Sequence, residues 1–262
     1  MITDFGEHLI RRYLAREVGD IGTAIGIGTV DTTPTASDTK LGFEVVRVPV
    51  EHIFLDRNVD SVVFRGILPS DYEGSIYEIG LWSDDGDDMA GEYGDRVITD
   101  FSEDEEEWSA GTFTAGNQRS GAAALVVTNT TSTLSGLDYD ISENMSDQLS
   151  VAGHFTANIA FSVRLGSDGG YYNYSFTPGG TGYRTPTVNM SAHTVSGAPD
   201  PEAITYISVV VPSGLTVSFD AIRIDQTLTQ NIDYGLVMRN VGSPIAIKEI
   251  GKESTIEVPF TI

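Results

Sequence analysis

Histidine is scarce and scattered in this chain. The histidines are His8, His52, His154 and His193, and none stands in an HExxH phrase. No G-x-S-x-G elbow is present. There is no cysteine, which removes thiol nucleophiles, disulfides and zinc–thiolate sites. Two groupings remain. Tyr171, Tyr172, Tyr174 and Tyr183 concentrate aromatic rings beside Gly-rich turns. Sugar rings present apolar C–H faces that pack on such rings. Strand side chains alternate, so Tyr172 and Tyr174 share one face while Tyr171 and Asn173 share the other. One pair is expected in a core and the other on a glycan platform. The second grouping is Asp100, Glu103 and Asp220, near the first and last strands of the middle segment. Calcium takes six to eight oxygens, and acids on strands that pair can converge on it. These three are therefore candidates for a structural Ca2+ site. The DDGDD turn at 84–88 lacks EF-hand spacing and reads as solvated. The run Glu103, Asp104, Glu105, Glu106 and Glu107 reads as a solvated face. No group is assigned a catalytic role, and the chain is not expected to be an enzyme.

The elements that must position these residues are nearly all strands. One helix is predicted over 3–17, capped by Asp4 with Glu7 as its capping-box partner. Leu9, Ile10, Tyr13 and Leu14 give it one apolar stripe, suited to docking on the domain that follows. Gly19 to Gly28 is Gly-rich and apolar, and an ordered loop rich in Thr, Pro, Ser and Asp follows. FEVVRVPVEHIFL, SVVFRGILP and SIYEIGLWS read as strands. Residues 95–227 change character, with short strands at regular spacing between turn signals such as SDGG and PGGTG. That pattern predicts an antiparallel sandwich. The final stretch returns to the first style, with two or three strands, a Gly-Ser-Pro turn and an apolar terminal strand.

Charge excludes more than it assigns. The 262 residues carry 15 Lys and Arg against 38 Asp and Glu, a net charge of −23. Phosphates need a basic footprint, so nucleic acid and anionic membrane surfaces are disfavoured partners. No apolar run approaches the roughly 20 residues of a membrane helix, and Met1 to Glu17 lacks the apolar stretch of a secretory leader. Charge repulsion of this size is screened at molar salt. Many carboxylates with only three lysines, Lys40, Lys248 and Lys252, resemble the proteins of extreme halophiles.

Residues 26–47, 62–87 and 254–262 resemble phage tail-collar and tail-fibre proteins, which are often baseplate-associated. The matching positions are Gly26, Gly28, Thr29, Pro34, Asp38, Leu41, Glu44 and Arg47, then Glu78, Gly80, Leu81 and Gly86. The phrase EIGLW followed by DDGD is the distinctive part. The resemblance implies a homotrimeric structural protein of a virion. The middle segment resembles a jelly-roll carbohydrate-binding module, in its opening ITDFSEDEEEW (98–108) and its closing VSFDAIRID (217–225). Such modules often hold a metal near those strands, which agrees with the calcium candidates.

The expectation is thus an all-β chain. A small tail-fibre or collar-like β domain over 1–94 and 228–262, with its N-terminal helix, is interrupted by an inserted jelly roll over 95–227. The expected role is assembly and host-surface adhesion in the tail of a virus particle, exposed to a saline medium. Its partners would be other tail or baseplate proteins and a host surface glycan or glycoprotein, with no nucleic acid and no membrane insertion. A capsid decoration or turret protein and a secreted carbohydrate-binding module are the alternatives.

Overall fold

The computed structural model describes residues 1–17, 21–56, 61–70, 72–83, 97–99, 101, 108–121, 123–225, 235–248 and 254–260, with the side chains of 97, 235 and 243–248 outside that description. Among the described residues the fold is all-β apart from one short α-helix and two 3-10 turns. The chain divides into two compact units: a split unit, Met1–Asp95 with Thr229–Ile262, and an inserted unit, Arg96–Leu228. No described helix is long and apolar enough to cross a membrane.

In chain order, helix α1 (Asp4–Leu14) precedes β1 (Ala24–Gly28), β2 (Glu44–Pro49), β3 (His52–Asp56), β4 (Ser61–Leu68) and β5 (Gly74–Ser83). The inserted unit holds β6 (Val97–Thr99), β7 (Thr112–Thr114), β8 (Ala124–Thr128), β9 (Thr131–Tyr139), β10 (Gln148–Phe155) and β11 (Phe161–Ser167). It continues through β12 (Gly170–Phe176), β13 (Gly182–Arg184), β14 (Thr187–Asn189), β15 (Thr194–Gly197), β16 (Ile204–Val210) and β17 (Thr216–Asp225). The chain then re-enters the split unit as β18 (Gly235–Lys248) and β19 (Ser254–Phe260).

The split unit has a four-stranded sheet, β18-β5-β1-β2, and a three-stranded sheet, β19-β4-β3. The terminal strand β19 pairs antiparallel with β4, placing Ile256, Val258 and Phe260 in the core. Two details differ from expectation, the helix cap and the Gly-Ser-Pro turn. The helix cap is Thr3, whose Oγ1 accepts from Gly6 N at 3.0 Å, and not Asp4. The Thr3 hydroxyl also binds backbone carbonyls of β18, which ties the cap to the sheet as well as to the helix. The Gly-rich piece Ala24–Gly28 is a strand, buried along its whole length between β2 and β5. Gly-Ser-Pro makes no turn; it lies inside β18, where the register with β5 shifts between Val241 and Ala246. A proline that cannot donate to the ladder is tolerated at such an irregularity.

The inserted unit is an antiparallel sandwich. One sheet runs β13-β10-β17-β8-β7, with β14 pairing β10 and β6 pairing β17; the other runs β15-β12-β11-β16-β9. The chain steps between the sheets from β8 to β9 to β10 to β11, the jelly-roll manner of closing a two-sheet stack. Alternate residues of both sheets fill one core, including Phe155, Phe161, Tyr174, Phe176 and Phe219. Phe161 stacks on Phe176 at 5.2 Å and meets Phe219 edge-on at 5.8 Å. Trp108 joins this core from its rim, 5.2 Å from Phe101.

Candidate functional site

In the split unit, Glu78 with Arg239 and Asp38, and Glu44 with Arg47, form two buried ionic knots. Glu78 on β5 is fully buried. Its carboxylate accepts from Gly42 N and Phe43 N, each at 2.9 Å, and from Val30 N at 3.3 Å. Arg239 on β18 completes the set, and its Nη1 also donates to Asp38 Oδ2 at 2.8 Å. Glu78 thereby pins the loop between β1 and β2 onto the sheet. Burial favours the neutral form of Asp38, but hydrogen bonds from Arg239 and Thr35 outweigh it and hold the carboxyl below its ordinary range. The second knot is Glu44 with Arg47. Arg47 donates from Nε at 2.5 Å and Nη2 at 2.8 Å, and its guanidinium lies 3.8 Å over the Trp82 ring. Both side chains are almost fully buried. The glycines of β1 make room: a Cβ on Gly26 would stand 2.7 Å from Glu44 Oε1, and one on Gly28 would run into Glu78 and, at 2.5 Å, Phe43 O. These contacts account for Gly26, Gly28, Asp38, Glu44, Arg47 and Glu78 as packing residues. Gly86 and the DDGDD turn lie outside the described residues.

In the inserted unit, β12 splits the tyrosine group. Tyr172 and Tyr174 point into the sandwich, 8% and 0% exposed, and a sugar has no access to rings packed there. Burial raises the pKa of both hydroxyls. His193 sits edge-on to them, 4.9 Å from Tyr172 and 5.9 Å from Tyr174. Tyr171 and Asn173 stand on the opposite face of the sheet. Strand pairing there sets up one row of Ser196, Tyr171, Gly166, Tyr206 and Ser135. The next row is Thr194, Asn173, Arg164, Ser208 and Thr133. Tyr171 and Tyr206 thus flank a position with no side chain, and a Cβ on Gly166 would run into the Tyr206 ring. The Arg164 guanidinium lies 4.6 Å from the Tyr171 ring centroid, and its Nε donates to Asn173 Oδ1 at 3.2 Å. Thr133 and Ser208 share a hydroxyl hydrogen bond at 2.8 Å. Burial and the neighbouring Tyr171 raise the Tyr206 hydroxyl pKa, with Arg164 opposing. The result is a half-buried aromatic pair ringed by a guanidinium, an amide and hydroxyls.

Sequence reasoning did not single out Tyr206. The alternation Tyr206, Ile207, Ser208, Val209 marked its face, but the register that sets it beside Gly166 and Tyr171 is a property of the sheet.

Tyr183 belongs to the other sheet. Its hydroxyl donates to Asp220 Oδ2 at 2.5 Å, and Arg119 lies 4.0 Å over its ring. Asp220 is the extra residue of a bulge where β10 shifts register against β17. It is fully buried. Its Oδ1 accepts from Arg119 N and Ser120 N, each at 3.0 Å. Burial pushes the carboxyl up to about 7, against the downward pull of the hydrogen bonds from Tyr183, Ser120 and Arg119. Hydrogen-bond donors surround Asp220 where calcium would need further oxygens. Its expected companions, Asp100 and Glu103, lie outside the described residues. Among the described residues no three acidic or histidine side chains gather in a metal-binding group.

No protein-family model matches the sequence, and no curated protein matches it. Among solved structures, the chain is similar to a family 11 carbohydrate-binding module from Clostridium thermocellum, in complex with a β-1,3-1,4-mixed-linked tetrasaccharide. That match has 17% identity and a TM-score of 0.41, over 52% of this chain and 97% of the module. The family 11 module of the cellulosomal cellulase Lic26A-Cel5E of the same organism matches at 20% identity and a TM-score of 0.40, over 52% of this chain and 96% of the module.

Proposed function

We propose that the chain is a non-catalytic adhesion protein whose inserted unit binds carbohydrate on the solvent face of the β15-β12-β11-β16-β9 sheet. One observation carries this reading: Tyr171 and Tyr206 flank Gly166 on that face, beside Arg164 and Asn173. Aromatic rings take the C–H face of a pyranose, and the amide, guanidinium and hydroxyls match its hydroxyl groups. A site on paired strands is also held more rigidly than one on loops. The test is an oligosaccharide array probed with the full chain in high salt, with the β-1,3-1,4-mixed-linked tetrasaccharide among its members. Retention on a defined subset of glycans is the expected result. An array with no retention above background contradicts the proposal.

The setting we propose is the tail of a virus particle, as a fibre or baseplate component. The observation in its favour is that the residues of the tail-collar resemblance cohere physically: Glu78, Asp38 and Gly28 meet in one knot, and Glu44, Arg47 and Gly26 in another. Immunogold labelling of purified particles with an antibody to residues 96–228 tests it. Label at the tail is expected, and label on the capsid moves the protein to the decoration class.

A further inference from the structure

We infer that the Tyr171–Tyr206 face selects anionic saccharides, gripping a carboxylate or sulfate of the sugar with the Arg164 guanidinium; this rests on the carbohydrate-binding reading above. The chain holds 38 acidic residues against 15 basic ones. Its buried arginines are neutralised by carboxylates: Arg47 by Glu44, Arg223 by Asp225 and Arg239 by Glu78. Arg164 differs. Among the described residues it hydrogen-bonds an uncharged amide oxygen, Asn173 Oδ1, lies against the ring of Tyr171 and acts electrostatically on the Tyr206 hydroxyl, with no carboxylate partner. The strand rows around it carry no Asp or Glu. Beyond the two rows already described, the third is Ser175, Ser162, Val210 and Thr131. Acids occur farther along: Asp138 on β9 is exposed, Asp168 sits in the turn between β11 and β12, and Asp200 and Glu202 precede β16. In so acidic a chain, a guanidinium whose three surrounding strand rows carry no carboxylate has the charge complement of an anion.

The geometry suits a sugar acid better than a free anion. Asn173 engages Nε, which leaves the two Nη amino groups to face a ligand. A guanidinium fork matches a carboxylate or sulfate with two parallel hydrogen bonds. Stacking on Tyr171 fixes the plane of the fork, and Tyr206 supplies a second ring across Gly166 for the body of the sugar. One substituent would thus meet the fork while the ring stacks beside it.

The experiment is an array that pairs uronate-bearing, sulfated and uncharged oligosaccharides of the same backbones, followed by calorimetry on the best pair. The probe protein is the full chain and its Arg164→Gln and Arg164→Lys variants, each checked for a native near-ultraviolet spectrum. The expected result is at least tenfold tighter binding of a charged member over its uncharged counterpart. Arg164→Gln should bring the pair to equal affinity, and Arg164→Lys should restore part of the preference. The uronate and sulfate arms show which anion the fork takes. Equal binding of charged and uncharged members by the unmodified chain overturns this inference and leaves the carbohydrate-binding reading standing. Retention of no glycan at all overturns both.

Discussion

Arg239 on β18 places both Nε and Nη2 within 2.9 Å of a single oxygen of Glu78, Oε2. The two residues are 161 positions apart, on strands either side of the inserted unit. Their bond closes the split unit through its interior, and the other oxygen of Glu78 holds the loop that β1 leads into. An insertion at this point keeps both ends of the interrupted unit tied by charge as well as by the β18–β5 ladder.

Glu78→Ala leaves a buried guanidinium without one of its carboxylates and backbone N–H groups without their acceptor. Removing one member of such a pair costs about 3–5 kcal/mol. The two tryptophans separate the outcomes, because Trp82 reports the split unit and Trp108 the inserted one. In urea titrations of single-tryptophan variants, the stability read by Trp82 is expected to fall by that amount. An unchanged Trp82 midpoint would contradict the pinning role.

Asp220 gives the inserted unit a pH dependence of uncommon sign. Its folded pKa, about 7, lies above the ordinary value of 3.8. The folded state therefore binds the proton more tightly, and the stabilisation is fully present below about pH 4 and lost as pH rises through about 7. The slope across that window is about 1.4 kcal/mol per pH unit for this group alone. Asp220→Asn keeps an oxygen for Arg119 N and Ser120 N and an amide for Tyr183, without the titrating proton. Unfolding midpoints of the variant, followed by Trp108 fluorescence from pH 4 to 8, should lack this decline.

Net charge predicts a salt requirement. Screening contracts from about 10 Å at 0.1 M to about 3 Å at 1 M salt, which relieves repulsion among carboxylates in a chain of net charge −23. The thermal midpoint is expected to rise by roughly 5–10 °C between 0.1 and 2 M KCl, an increment of a few kcal/mol for a chain of this size. Differential scanning fluorimetry across a KCl series checks it; a flat profile would show that the acids are dispersed enough not to interact.

Much of the fold is legible in the sequence, because burial writes a period of two into strands. The alternation along β12 is enough to separate Tyr172 and Tyr174 from Tyr171. The strands β2 to β5 carry β-branched residues at the expected spacing. What stays hidden are features set by partners distant in sequence. Strand β1 contains Gly26 and Gly28, which lower strand propensity, and their reason lies in Glu44 and Glu78 above them. Thr3 outcompetes Asp4 as a cap because it also reaches β18. Tyr206 joins Tyr171 only through a register with β11 that no local pattern specifies. The contacts of Asp220 depend on a bulge, which sequence spacing does not reveal.

Sugar binding by the inserted unit on the Tyr171–Tyr206 face is tested most directly by one comparison. Calorimetric affinity for the best array glycan is measured for the unmodified chain, Tyr171→Ala, Tyr206→Ala and, on the opposite sheet, Tyr183→Phe. Loss of an aromatic stacking partner is expected to weaken binding by roughly tenfold or more in each of the first two variants. Tyr183→Phe should bind as the unmodified chain does. Full affinity in both Tyr171→Ala and Tyr206→Ala, or a loss confined to Tyr183→Phe, would contradict the account and place any binding on the other sheet.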